Sequence, residues 1–120
     1  MKVKIPKREK STVTSPEAIA DIFQAILDAE PVHDREKEHL WVVGLNTRNN
    51  IKYIELVSLG ILNASMVHPR EVFRFAIMQG TCSIIIGHNH PSGHIEPSDE
   101  DLAITRRLQD AGGIIGIQLL

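Results

Sequence analysis

Apolar positions along the chain change their period several times, and each change marks an element. Ile19, Ile22, Phe23, Ile26 and Leu27 recur at helical spacing. Ser15-Pro16-Glu17 ahead of them reads as a helix start: an N-cap hydroxyl, Pro at the first position and an acid in the first turn. Pro31 predicts the end of that helix near Glu30. A charged connector from His33 to Glu38 leads into Leu40-Trp-Val-Val-Gly-Leu45, whose β-branched and aromatic content predicts a buried strand. Asn46 to Asn50 reads as a turn and Ile51 to about Ser58 as a second strand, together an antiparallel hairpin. Gly60 to Val67 reads as a further short extended segment.

The second half repeats the alternation. His68-Pro69-Arg70-Glu71 opens a helix whose Val72, Phe73, Phe75, Ala76, Ile77 and Met78 cover much of its circumference, which predicts deep burial. Gly80 supplies its stop. Cys82 to Ile86 is short and nearly all apolar, as an interior strand should be. After a loop from His88 to Pro97, a third helix is expected from Ser98 to about Asp110, halted by Gly112-Gly113. Ile114 to Leu120 would be the last strand. The order α-β-β-(β)-α-β-α-β implies an α/β sandwich around a mixed sheet.

Composition changes this picture little. At 120 residues, with 42% hydrophobic and 23% charged residues, the chain has the size and balance of one globular domain. Aromatics make up only 4%, so Ile, Leu and Val must form the core. No apolar run approaches the roughly 18 residues of a membrane span, and the Met1 to Pro6 start lacks the apolar stretch of a secretory signal. Cys82 is the only cysteine, which excludes an internal disulfide and fits a reducing cytoplasm, the expected location. A net charge of −2 gives no general attraction to nucleic acid. Lys2, Lys4, Lys7, Arg8 and Lys10 nevertheless crowd the start, so residues 1–14 read as a flexible basic arm and residues 15–120 as the domain.

Chemistry concentrates in His88-Asn-His-Pro-Ser-Gly-His-Ile-Glu-Pro-Ser-Asp-Glu-Asp101. The segment joins the end of a buried strand to the start of a helix, where open α/β sheets place their sites. His88 and His90 can converge on a metal when the backbone turns, and Asp101 sits in the first helical turn, where an anion is favoured. Two imidazoles and a carboxylate leave the fourth tetrahedral place for water, the pattern of catalytic zinc; a structural site would be richer in Cys. Asp101 also reads as the acid of a capping box with Ser98. His33 and His39 read as connector residues, His68 as a helix start, His94 as a loop tip, and Cys82 and Trp41 as core. The consecutive His88-Asn89-His90 does not match nucleases that spread those residue types over a hairpin and helix.

His88-x-His90, seven residues, then Ser98-x-x-Asp101 resembles the JAMM motif of JAB/MPN-domain metalloproteases. The string HNHPSGHIEPSDEDLAITRRL, with VHPREVF at 67–73 and LNTRN at 45–49, resembles the RadC family, bacterial proteins labelled as DNA repair. The resemblance covers roughly residues 15–120 and implies a three-layer α/β/α, cytidine-deaminase-like fold and a Zn2+-dependent hydrolase acting on a peptide or isopeptide. It further implies an upstream glutamate as general base. Glu38, just before the first strand, is preferred; Glu55, inside the second and otherwise solvent-facing, is the alternative. Glu38 and His88 reach one sheet edge only if their strands run antiparallel. By the same resemblance Ser98 donates to the developing oxyanion. The competing expectation is a DNA-associated repair or mobile-element module with a non-catalytic metal site, touching phosphate through the basic arm. RadC-like domains continue past the positions of Leu119-Leu120 with Asp-His and an apolar strand, so the resemblance predicts a domain truncated at its C-terminal strand.

Overall fold

The computed structural model describes residues 15–60, 67–89 and 99–120. Helix α1 (Pro16–Asp28) begins as expected, with the Ser15 hydroxyl accepting from the Ala18 N–H at 3.1 Å, and its Ile19, Ile22 and Ile26 are buried. The charged connector contains a single helical turn, α2 (Val32–Arg35). Arg35 explains it: its guanidinium donates to the carbonyls of Asp28 (2.7 Å) and Glu30 (3.0 Å), capping the end of α1 and folding the connector back on it.

Strands β1 (Glu38–Leu45) and β2 (Ile51–Gly60) form the expected antiparallel hairpin. The Asn46 side-chain oxygen accepts from the N–H groups of Arg48 and Asn50, and Asn49 takes φ 60°, a conformation asparagine tolerates. Helix α3 (Pro69–Met78) ends at Gly80, φ 61°, where the Thr81 N–H reaches back to the Ala76 carbonyl. Strand β3 (Ser83–His88), helix α4 (Asp99–Ile115) and strand β4 (Gln118–Leu119) complete the order.

The sheet runs β2-β1-β3-β4, with β1 antiparallel to both neighbours and β3 parallel to β4, so it is mixed. Alternation along β1 sorts its side chains between two cores. Leu40 and Val42 face α3 and α4, packing with Tyr53, Phe73, Ile84, Ile104 and Leu108. Trp41, Val43 and Leu45 face α1, packing with Ile19, Ile22, Ile26 and Ile54. Helices on both faces of a mixed sheet give the three-layer α/β/α sandwich.

Several expectations are corrected. Helix α4 runs through Gly112-Gly113 to Ile115 and stops at Gly116, φ 78°. Consequently the last strand shrinks to Gln118–Leu119. Helix α3 buries only Val72, Phe73 and Ala76; Ile77 and Met78 are 62% and 69% exposed. Cys82 lies just before β3 and is exposed rather than core. No helix among the described residues is long and apolar enough to cross a membrane. The basic arm of residues 1–14, and residues 61–66 of the extended segment expected from Gly60 to Val67, lie outside the described residues, while Gly60 itself ends β2.

A candidate metal centre at the end of the central strands

Strand β1 starts where β3 ends. Leu40 lies opposite His88 in the antiparallel register, and Glu38 stands two residues earlier on the same face. With strands about 4.8 Å apart and a rise of about 3.3 Å per residue, the Glu38 and His88 backbones are roughly 8 Å apart. Glu55 lies opposite Val42, one strand further out, and by the same geometry is about 12 Å from His88. It is not solvent-facing. At 5% exposure it sits beneath α3, and burial pushes its carboxyl above the ordinary range, with Arg74 drawing it down and Glu71 pushing it up.

Asp101 reaches the same end of the sheet from α4. The stripe that buries this helix is Asp101, Ile104 and Leu108, at i, i+3 and i+7. Packing of Ile104 and Leu108 on the sheet therefore aims Asp101, in the helix's first turn, at the last residue of β3. Its Oδ2 lies 3.2 Å from His88 Nε2, with Asp101 only 7% exposed. Tetrahedral zinc, with bonds of about 2.0–2.1 Å, separates neighbouring donor atoms by about 3.3 Å. The imidazole and carboxylate thus stand at the spacing of two ligands on one ion, and their chemistry suits zinc. His90, third of the expected set, and Ser98 lie outside the described residues. Among the described residues alone, no group of three His, Cys, Asp or Glu is gathered for a metal.

Around the site, two further side chains depart from their sequence reading. His39 is fully buried, not a connector residue: its ring stacks on Trp41 at 5.0 Å, continuing a stack from Phe23, and its Nδ1 is 2.8 Å from the Lys37 carbonyl oxygen. Asn89, read only as the residue between two histidines, makes two long-range bonds. Its Oδ1 accepts from the His39 N–H at 2.6 Å, and its Nδ2 donates to the Lys37 carbonyl at 3.0 Å. No spacing rule singles it out. Beside His88 and Asn89 a groove of about 540 Å³ opens toward α1, walled by Phe23, Leu27, Trp41, Ile85 and Arg35. Phe23 closes over Gly87, where a methyl group would run into its ring.

Comparison with known proteins gives a family for the domain as a whole. A family described as "RadC-like JAB domain" matches residues 13–120. A UPF0758 protein from Caldanaerobacter subterraneus is 48% identical over 112 residues, covering 93% of this chain and 46% of that protein. One from Pelodictyon phaeoclathratiforme is 48% identical over 104 residues, covering 87% and 46%. Another, from Desulforudis audaxviator, is 42% identical over 115 residues, covering 96% and 48%. The chain spans about half the length of the curated relatives it matches.

Proposed function

The chain belongs to the RadC-like JAB domain family, and from that premise we propose that it is a zinc-dependent hydrolase of JAMM type, cleaving a peptide or isopeptide bond. The observation that carries this reading is the 3.2 Å approach of His88 Nε2 to Asp101 Oδ2 at the end of β3, with Glu38 on the same face of the neighbouring strand. His88, His90 and Asp101 would hold the ion, whose Lewis acidity makes water nucleophilic near neutral pH.

The chain's own groups do the rest. Glu38 takes a proton from the attacking water and delivers it to the departing amine nitrogen, so one carboxylate serves as base and then acid. Ser98 donates a hydrogen bond to the carbonyl oxygen as it gains charge. Glu55 is the weaker choice of base, because it stands a strand further away beneath α3.

The test joins metal analysis to turnover. Wild-type protein should bind about one zinc per chain, and His88→Ala or Asp101→Ala should lose most of it. Glu38→Gln should keep the zinc and lose cleavage of an isopeptide or peptide library by a factor of about 100 or more. Equal zinc in wild type and His88→Ala overturns the reading, as does undiminished turnover by Glu38→Gln.

A further inference from the structure

Asn89 occupies a place the proposed chemistry leaves without a role. Strand β3 ends at His88, yet the pairing between β3 and β1 continues one step further through a side chain. Within a strand, the backbone groups of residues i and i+2 point to the same edge. The Lys37 carbonyl and His39 N–H both face β3, and the Asn89 amide meets them with matched polarity, oxygen to N–H and NH₂ to carbonyl. The two groups it holds flank Glu38. Asn89 also sits directly between His88 and His90 in the chain. One amide therefore fixes the backbone on either side of the acid to the segment carrying the histidines.

Resting on the hydrolase reading above, we propose that Asn89 is a positioning residue that sets the Glu38 carboxylate against the His88 side of the site. Residues close to Glu38 on β1 gain their own constraints from the sheet and from the stack of His39 on Trp41. Lys37, by contrast, lies before β1: its N–H donates to the Asp34 carbonyl at 3.1 Å within the connector, and its carbonyl, beside the His39 ring, is tied to the β3 end by Asn89. Without the amide, Glu38 keeps its pairing with Gly60 of β2 but loses the tie between its strand end and β3, so the acid can shift while the histidine on β3 stays.

Asn89→Asp is the sharp variant: it keeps the shape and the acceptor for His39 but cannot donate to Lys37. Asn89→Ala removes both bonds. Amide hydrogen exchange on the metal-free full chain reads the latch directly. The His39 amide should exchange about tenfold faster in Asn89→Ala, the worth of one lost hydrogen bond, while the Leu108 amide keeps its wild-type rate. In zinc-loaded protein acting on a cleavable peptide, both variants should retain zinc and lower kcat about tenfold with KM within about twofold, as a misplaced base does. Asn89→Ala combined with Glu38→Gln should be no slower than Glu38→Gln alone, because the amide acts through the acid. An unchanged His39 exchange rate overturns the proposal, and so does a loss that adds in full to that of Glu38→Gln. If wild-type protein cleaves nothing, the hydrolase reading fails by itself, and the exchange rates alone decide whether Asn89 holds this strand end.

Discussion

Tyr53 shows how much a single side chain's neighbours decide. Its ring lies over Gly44 and against Phe75, and burial pushes its phenol up to about 12, with the Glu55 carboxylate adding to the rise and the Thr81 hydroxyl easing it. A phenol whose folded value lies above its unfolded value of 10.0 contributes stability that is whole below pH 10. That contribution is lost as pH rises from 10 toward 12. Tyr53→Phe should therefore change stability at pH 7 by no more than about 1 kcal/mol and flatten the decline above pH 10, measured by urea unfolding across that range. Trp41 was legible in the sequence as core, since an apolar run leaves an indole nowhere else to go. His39, Glu55 and Cys82 were not. Each depends on its surroundings in space: His39 stacks on Trp41, Glu55 lies near Arg74 and Glu71 of α3, and Cys82 is exposed just before β3. Local spacing carries no record of those surroundings.

At the scale of elements, the β1–β2 hairpin, β3 and the starts of α1 and α3 were readable, because N-caps, Pro at the first position and turn asparagines act within a few residues. The end of α4 was not. Gly112-Gly113 reads as a stop, but the helix passes through it because Gly112 lets the chain after the helix come close: a methyl there would meet the Ile117 carbonyl oxygen. Packing overrides propensity at that point. Gly113, one residue on, faces open space. The two neighbours should respond with opposite signs. Gly113→Ala should raise stability by about 0.5–1 kcal/mol, the usual helix gain. Gly112→Ala should lower it by about 1–3 kcal/mol through overpacking. Chemical denaturation of the pair checks both, and a gain for Gly112→Ala would show that the helix end is looser than its contacts indicate.

For the molecule as a whole, the candidate site was legible as a set of residue types and not as a place. His88-x-His90 with Asp101 is visible by spacing, yet the convergence of His88 with Asp101 depends on the α4 stripe meeting the sheet. The proximity of Glu38 depends on β1 running against β3. Both are consequences of topology. The same topology binds the two cores together, since β1 contributes alternate residues to each. The chain has one Trp and one Tyr, and they stand on opposite sides: Trp41 toward α1, Tyr53 toward α3 and α4. Their fluorescence should thus report unfolding at a single shared denaturant midpoint. Separate midpoints would mean that the layers melt independently.

The antiparallel register of β1 and β3 also restricts how the chain could be altered by length. A single residue inserted between Glu38 and Leu40 would turn Glu38 to the α1 side of the sheet, leaving His88 and Asp101 facing each other with no glutamate across from them. Two inserted residues would restore the side but carry the acid a further step down the edge. The stretch ahead of Leu40 is therefore a fixed-length spacer, open to changes of letter and closed to changes of count.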